Sequence, residues 1–267
     1  MTTTLVTSLY NINRNSIDGR KWEDYLVWFS KTLKLKSPMV IFVEAELMNF
    51  VKENRGSLPT KVIQQPIEEI PYYFLKERID NVIKSDEYIS KISDSSRIEC
   101  KSSLYNIIQY SKFKWVERVA IQNEFNSDYF LWVDAGLSRF FYDLNLNLPY
   151  PGENAQESLN EIKDKILIQV FQSYYPDLVN SESLSYDYLK DNRSYIMGGM
   201  FGAGRDAILK LCPIIDNILE KMLSDNLINN EQIALGYLYK KHPDLFVEFI
   251  NESHLHRSYE LIRELGK

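Results

Sequence analysis

The first 44 residues contain the pattern that most restricts the fold of this chain. Residues 5–10 are a short run of β-forming side chains that predicts a first strand, followed by a polar loop. Apolar residues recur at helical spacing over residues 22–34, which predicts an amphipathic helix. Residues 38–44 form an apolar run that ends in an acid and predicts a second strand. Strand, helix and strand in this order form a βαβ unit, which indicates a parallel sheet.

The next part of the chain continues this α/β pattern. Residues 61–66 predict a short third strand closed by Pro66. Residues 72–123 predict mostly helix, with a break at 94–96. Residues 128–136 contain a nearly continuous apolar run, which is typical of a strand covered on both faces.

A long insertion is expected at residues 140–191, with a helix around 159–171. A glycine-rich strand is then predicted at 195–204, with helices at 205–224 and 230–241. No repeat, low-complexity tract or linker divides the chain. We therefore expect one α/β domain over residues 1–267, with a mixed, mainly parallel central sheet flanked by helices.

Composition excludes several classes of protein. A net charge of -6 argues against nonspecific nucleic-acid binding, although a local basic cleft for a diphosphate stays open. The two cysteines, Cys100 and Cys212, form no metal-binding or paired motif, so a cytoplasmic location is expected. No apolar stretch is long enough to span a bilayer. Any membrane contact is expected to be peripheral, at the inner face of the membrane.

Asp134 is the first candidate site residue, because it ends the apolar strand and is followed by the small residues Ala135 and Gly136. Small residues let a ligand approach the backbone. In open α/β sheets ligands occupy the crevice at the carboxyl ends of strands, where Asp134 could meet a metal or a sugar. A turn or capping aspartate after a core strand would give the same pattern.

Three further patterns are candidates for a site. The glycines from Gly198 to Gly204 lie too late in the chain for a dinucleotide fingerprint, and mark either a pocket wall or tight packing. Asn230 is expected to cap a helix whose first turn carries Glu231, either a general base or an ordinary first-turn acid. His254 and His256 would share one face of a strand and could ligate a metal with Asp134, or could be exposed polar residues.

Six segments, taken in their order along the chain, carry a resemblance to a known family. They are residues 6–10 with Arg14, 25–29, 39–44, 130–136 with Arg139, 198–202, and 231–232. In this order they resemble a nucleotide-sugar glycosyltransferase of the GT-A type, with its Rossmann-related fold. More narrowly, they resemble the HtrL/YibB (WlaTC-like) family of bacterial surface-polysaccharide proteins, and the resemblance spans most of the chain.

The resemblance implies that the first strand and its loop bind the nucleotide. The implied donor-binding residues are Thr7, Ser8, Tyr10, Arg14, Glu44, Lys114, Trp132, Asp134 and Arg139. Thr7, Tyr10 and Arg14 are expected to line the base and diphosphate, with Arg14 offering a bidentate fork to phosphate. The implied acceptor-binding residues are Gly198, Gly199, Met200, Phe201 and Gln232.

The resemblance also implies a catalytic and metal site. Asp134 stands at the Asp-x-Asp position of the fold, but the motif here reads Asp134-Ala135-Gly136 and lacks the second carboxylate. A divalent cation, Mn²⁺ or Mg²⁺, would be held by Asp134 with His254 or His256. The basic side chains that could stabilise a leaving diphosphate are Lys112, Lys114, Arg139 and Arg14, each of which alone also fits a solvated surface residue. Glu231 or Asp191 would deprotonate the acceptor hydroxyl.

The expected function is therefore transfer of a sugar from a nucleotide-sugar donor to a glycan or glycolipid acceptor in bacterial lipopolysaccharide or capsule. The alternative is a catalytically inactive nucleotide-sugar-binding protein, which the incomplete acid motif suggests. A third alternative is a structural or partner-binding protein with a degenerate transferase fold. None of these readings requires a nucleic-acid partner.

Overall fold

The computed structural model describes residues 2–141, 145–146, 150–171, 184–251 and 260–266. Seven strands in these residues form one sheet. In chain order the strands are β1 (Thr3–Leu9), β2 (Met39–Val43), β3 (Thr60–Gln64), β4 (Tyr129–Val133), β5 (Ile166–Phe171), β6 (Ile196–Ala203) and β7 (Phe246–Asn251). In space they follow the order β3-β2-β1-β4-β6-β5-β7.

The order and direction of the strands indicate where a ligand crevice is expected. Neighbouring strands run parallel except at β6, which is antiparallel to both β4 and β5. The sheet is therefore mixed and mainly parallel, which confirms the α/β class predicted from the sequence. Because β1 pairs with β2 on one side and with β4 on the other, the strand order reverses between β1 and β4. Ligands of open α/β sheets bind at the carboxyl ends of the strands at such a reversal.

Helices cover both faces of the sheet. They are α1 (Asn15–Asp18), α2 (Trp22–Thr32), α3 (Met48–Arg55), α4 (Lys76–Ile83), α5 (Asp86–Lys91), α6 (Ser103–Gln122), α7 (Glu153–Glu161), α8 (Arg205–Ser224), α9 (Glu231–Lys241) and α10 (Glu260–Glu264). One buried cluster contains residues of α4, α6, α8 and α9, and the other contains residues of α2, α3, α7 and α10. In the described part of the chain, no helix is both long enough and apolar enough to cross a bilayer.

The two clusters take alternate residues of each central strand, because successive side chains of a strand point to opposite faces. In β1, Val6 joins the α6 side, whereas Leu5 and Leu9 join the α2 side. In β4, Trp132 lies on the α6 side and Val133 on the α2 side. Both faces are buried, which explains why the strand sequences are apolar without alternation.

The predicted helix around residues 159–171 is wrong in its second half. The helix ends at Glu161, and residues Ile166–Phe171 form β5. This segment is rich in β-branched residues and is paired with β6 on one side and β7 on the other. Since a short apolar run covered on both faces shows no period of two, periodicity alone does not distinguish it from a buried helix. The other predicted strands and helices that fall on described residues are confirmed to within a few residues.

Candidate functional site

A cavity of about 420 Å³ opens where β1 and β4 end. Its walls come from β1 and the loop after it, from the start of α2, from α6, from the turn after β4, and from α9. The lining residues are Ser8, Leu9, Tyr10, Asn11, Ile12, Asn13, Arg14, Asn15, Arg20, Trp22, Glu23, Tyr25, Tyr105, Ile108, Gln109, Lys112, Trp132, Asp134, Ala135, Gly136, Leu137, Arg139, Phe140 and Gln232. The cavity therefore occupies the crevice at the reversal of strand order.

Asp134 comes directly after β4 and lines the cavity with a side chain that is 33% exposed. Its backbone N–H donates to the Gly199 carbonyl oxygen at 2.9 Å. Its Oδ1 accepts a hydrogen bond from the Trp132 indole Nε1 at 2.7 Å and lies 3.0 Å from the Lys112 ammonium. Within the described residues, Oδ2 has no such partner. Oδ2 is therefore the carboxylate oxygen that a ligand can reach.

Lys112 is the cation behind Asp134. It lies on α6 with a side chain only 2% exposed, and its ammonium donates to Glu231 Oε1 at 2.8 Å and to the Gly198 carbonyl oxygen at 3.2 Å. An ammonium has three N–H donors, and these two acceptors together with Asp134 match all of them. Burial alone would lower the pKa of Lys112, but Asp134 and Glu231 raise it above its ordinary value. Lys112 is therefore a fixed positive charge in the cavity wall.

Glu231 is the most deeply buried member of this cluster. It is the first residue of α9, which Asn230 caps as predicted by accepting the backbone N–H of Gln232 and of Ile233. Glu231 is fully buried, and its Oε2 has no hydrogen-bond partner among the described residues. Burial raises the pKa of Glu231 above its ordinary value, while Lys112 opposes the rise. Lys112 lines the cavity and Glu231 does not, so Glu231 contacts the lysine from behind.

Gly198 allows α9 to approach β6 this closely. A Cβ atom at Gly198 would overlap Glu231 Oε1 and would lie 2.6 Å from Gln232 Cγ. Only a residue without a side chain fits between the strand and the helix. Gly198 therefore supports the tight-packing interpretation of the glycine-rich strand, because it lets Glu231 and Gln232 pack against β6 and does not line the cavity.

We expect Gly198→Ala to lower the free energy of unfolding by about 1–3 kcal/mol, the usual cost of overpacking a buried site. Urea denaturation would measure this loss. The matched control is Gly136→Ala, because a Cβ at Gly136 would meet its nearest neighbour, Trp28, at an ordinary 3.5 Å. Equal losses in the two variants would contradict a specific steric role for Gly198.

Arg14 lines the cavity, but its guanidinium is already engaged. Its Nε and Nη2 donate to the carboxylate of Asp18, and its Nη1 donates to the Tyr25 hydroxyl at 2.8 Å. The guanidinium carbon also lies 5.0 Å from the centre of the Tyr105 ring. The prediction that Arg14 presents an open bidentate fork to phosphate is therefore corrected, since Asp18 occupies that fork. Arg14 instead ties the loop after β1 to α2 and α6.

Arg139 is an exposed cation in the turn after Asp134, and it lines the cavity as predicted. Its guanidinium carbon lies 5.3 Å from the centre of the Trp28 ring and 4.7 Å from that of Phe140. None of the carboxylates that the structure describes forms an ion pair with Arg139. Its N–H donors therefore remain available to an anion.

An aromatic stack supports the floor of the cavity. The rings of Tyr10 and Trp115 are 5.7 Å apart and nearly parallel, and Trp115 stacks in turn on Trp132 at 5.9 Å. The Tyr10 hydroxyl donates to the Gln65 carbonyl oxygen at 3.3 Å, and burial raises the pKa of this tyrosine. Tyr10, Trp132 and Ser8 all line the cavity, and their role in binding a donor stays a prediction.

Lys114, a predicted donor-binding residue, does not line the cavity. Its ammonium contacts Asp216 at 2.8 Å and Glu117 at 3.2 Å, away from the site. Residues two apart on a helix point in nearly opposite directions, so Lys112 and Lys114 cannot share one face. Lys112, and not Lys114, is therefore the lysine of α6 that lines the cavity.

Seven further predicted residues do not line the cavity either: Thr7, Glu44, Asp191, Gly198, Gly199, Met200 and Phe201. Thr7 is fully buried and, by the alternation along β1, points to the α2 side. Glu44 follows β2, one strand away from the reversal. The carboxylate of Asp191 accepts the backbone N–H groups of the next two residues. Met200 and Phe201 are core residues of β6, whereas Gln232 lines the cavity as predicted.

Two of the three predicted metal ligands, His254 and His256, lie outside the described residues. Within the part that is described, no group of three or more histidine, cysteine, aspartate or glutamate side chains could hold a metal ion. Asp134 Oδ1 is also occupied by an ammonium and an indole N–H. The described residues therefore do not fit a divalent cation, which prefers about six oxygen-rich ligands.

Tyr105 and Gln109 were not assigned to the site from the sequence, and Lys112 was named only among the four basic side chains that could stabilise a leaving diphosphate. These three residues are spaced by four and then three positions, so they share one face of α6. A row of polar and aromatic residues on a mostly buried helix was the available signal. It identifies the helix face but not the sheet edge that the face meets.

The chain has relatives among known proteins and structures. The crystal structure of mouse xyloside xylosyltransferase 1 in its apo form is similar with a TM-score of 0.44 and 11% identity, over 93% of this chain and 84% of that chain. Protein HtrL of Escherichia coli (strain K12) is 20% identical over 260 residues, which cover 91% of this chain and 86% of that protein. The family model described as "Bacterial protein of unknown function (HtrL_YibB)" matches residues 1–257. Since this match spans nearly the whole sequence, the family predicted from the sequence is confirmed and the chain belongs to the HtrL/YibB family.

Proposed function

We propose that this protein is a glycosyltransferase that moves a sugar from a nucleotide-sugar donor to a glycan or glycolipid acceptor of the bacterial cell surface, in lipopolysaccharide or capsule. The observation that carries the proposal is the cavity at the reversal of strand order, with Asp134 and Arg139 on one turn. This crevice is where open α/β sheets bind nucleotides. The order of sequence segments that resembles GT-A glycosyltransferases supports the same reading.

The charge of the cavity favours an anionic ligand. Among its described lining residues, four carry a positive charge (Arg14, Arg20, Lys112 and Arg139) and two carry a carboxylate (Glu23 and Asp134). Asp18 pairs with Arg14 and Glu231 pairs with Lys112 from behind the wall, so these two cations are already matched by carboxylates. Arg139 pairs with no described carboxylate and is the cation that the wall offers to a donor diphosphate.

The size and the lining of the cavity suit a nucleotide sugar. Its volume of about 420 Å³ falls in the range of about 300–1,000 Å³ typical of small-molecule sites. Tyr25, Tyr105 and Trp22 offer aromatic surface, and the asparagines and Gln109 offer amide groups. These groups support binding of a base and a sugar next to the basic residues that would bind the diphosphate.

The chemistry assigns a separate role to each charged group. During transfer the bond between the sugar and the diphosphate breaks and its electron pair leaves with the diphosphate, which takes up negative charge. The acceptor oxygen forms the new bond to the sugar, and the proton of the acceptor hydroxyl is released to solvent. Arg139 would donate to the leaving diphosphate, and Asp134 Oδ2 would accept a hydroxyl of the donor sugar. Lys112 would hold Asp134 in place, and Glu231 would hold Lys112. Gln232 would contribute to the acceptor side.

Calorimetric titration with UDP, GDP, CDP and ADP and their sugar derivatives would test the proposal. We expect one nucleotide family to bind, and the bound nucleotide sugar to release its diphosphate when a surface-glycan extract is added. Binding with no release in any extract would favour the catalytically inactive nucleotide-sugar-binding protein. Failure of every nucleotide and nucleotide sugar to bind would contradict both readings.

We expect Arg139→Ala to raise the dissociation constant for the bound nucleoside diphosphate by about 10–100-fold, since a hydrogen bond to a charged group contributes roughly 1.5–3 kcal/mol. The matched control is Arg118→Ala. Arg118 is also exposed and also lies over an aromatic ring, that of Phe42 at 5.6 Å, but it does not line the cavity. Calorimetry should show unchanged affinity for the control. An equal loss in both variants would indicate a general effect of surface charge.

A further inference from the structure

We infer that the Lys112 ammonium takes the place of a divalent cation in this chain, so that donor binding at Asp134 needs no metal ion. The role in donor binding rests on the proposed function. The statement about metal does not, because the affinity of the protein for a cation can be measured without any donor.

The contacts of Lys112 occupy oxygens that a second cation would need. Its ammonium lies 3.0 Å from Asp134 Oδ1, 2.8 Å from Glu231 Oε1 and 3.2 Å from the Gly198 carbonyl oxygen. Among the described residues, the ammonium thus stands where these three oxygens converge, and no group of three or more histidine, cysteine, aspartate or glutamate side chains offers a cation another place. The lysine side chain is 2% exposed, so it cannot swing into solvent without opening the packing between α6 and α9.

The two residues after Asp134 supply no second carboxylate to a metal site. The position two residues on is Gly136, which has no side chain and lines the cavity. Ala135 between them is 6% exposed, and its carbonyl oxygen accepts a hydrogen bond from the Thr32 hydroxyl at 2.9 Å, so this oxygen is also engaged.

The charges around Lys112 indicate that it neutralises nearby carboxylates. Without it, the carboxylate of Asp134 in the cavity wall and that of Glu231 behind the wall would both repel a diphosphate donor. Lys112 offsets one of these charges permanently, as a bound cation would do reversibly. A divalent ion placed on Asp134 in addition would repel the buried ammonium. Because the lysine is covalently part of the chain, a chelator cannot remove it.

Electron paramagnetic resonance with Mn²⁺ alone as the probe tests the inference. Wild-type protein should bind no Mn²⁺ at its cavity, even at about millimolar concentration, the weak limit of ordinary divalent-cation sites. Lys112→Ala frees Asp134 and Glu231 and should bind Mn²⁺ at least about tenfold more tightly than wild type. The melting temperature of this variant should rise with Mn²⁺, whereas that of wild type should not.

The matched control is Lys114→Ala, because Lys114 also pairs with two carboxylates but is 25% exposed and lies outside the cavity. Its affinity for Mn²⁺ should stay at the wild-type level. An equal gain in this control would overturn the inference, as would the absence of any gain in folded Lys112→Ala.

If Lys112→Ala does not fold, binding measurements on the wild-type protein still test the inference. Mn²⁺ binding to wild type that is lost in Asp134→Asn would overturn the inference. For any nucleotide that binds, its affinity should be the same in excess EDTA as in Mn²⁺, and a tenfold or larger loss in EDTA would also overturn it. If no nucleotide binds, the proposed function fails while the measurements with Mn²⁺ still test the lysine.

Discussion

Replacing Asp134 with asparagine is expected to lower the rate of sugar transfer by about 10²–10³-fold, the usual effect of removing one preorganised electrostatic group from an active site. The variant keeps the shape of the side chain and an oxygen that can accept the Trp132 indole N–H. It loses the negative charge that pairs with Lys112 and that would orient the donor sugar. The measurement is kcat for release of nucleoside diphosphate from the donor that binds wild-type protein.

The fold should survive this change, because the Asp134 side chain is one third exposed and lies at the end of a strand. Asp128→Asn is the control. Asp128 precedes the same strand, accepts the backbone N–H of Thr2 at 3.1 Å and lies outside the cavity. Transfer by Asp128→Asn should be close to that of wild type. Near-normal kcat in Asp134→Asn would show that Asp134 has no role in the reaction.

The strand that precedes Asp134 could be predicted, because the residues that indicate it are adjacent in the sequence. Residues Tyr129–Val133 are apolar β-formers, and the polar residue that follows marks where the strand leaves the sheet. The βαβ pattern of the first 44 residues fixed a parallel sheet in the same way. Together they predicted that Asp134 would lie at the carboxyl edge, and the cavity is there.

The partners of Asp134 could not be predicted, because they depend on contacts between distant parts of the chain. Lys112 and Glu231 are 119 residues apart, and their pairing follows from how α6 packs on β4 and β1 while α9 packs on β6. The sequence contains both Lys112 and Lys114, but only the rotation of α6 about its axis decides which one faces the sheet. Gly198 was open to two interpretations until Glu231 was found against it.

Lys112→Met is expected to lower the free energy of unfolding by about 3–5 kcal/mol, the usual cost of removing one partner of a buried ion pair. Methionine fills a similar volume, so the loss comes from charge and not from a cavity. It leaves Glu231 with no cation in a site that excludes water. Urea denaturation at pH 7 measures the loss, and Lys114→Met, on the surface of the same helix, should cost less than about 1 kcal/mol.

The loss in Lys112→Met should depend on pH in a definite direction. Burial already raises the pKa of Glu231, and without Lys112 the main group that opposes this rise is lost, leaving only the backbone N–H of Glu231 itself. A carboxyl whose pKa is higher in the folded state than in the unfolded state destabilises the fold as pH rises through the folded-state pKa. The defect should therefore be smaller near pH 5, where Glu231 can bind a proton, than near pH 8. A defect that does not change over this range would show that Glu231 is not the unpaired charge.

Combining Lys112→Met with Glu231→Gln should recover about 1–3 kcal/mol of the stability lost in Lys112→Met, because the neutral amide no longer needs a cation. Glu231→Gln alone should cost less than Lys112→Met, since its oxygen still accepts from the lysine and Asp134 still pairs with the ammonium. The recovered stability should not restore transfer, because the double variant lacks the positive charge beside Asp134. If the two single losses simply add, Lys112 and Glu231 act independently, and Glu231 does not position the lysine.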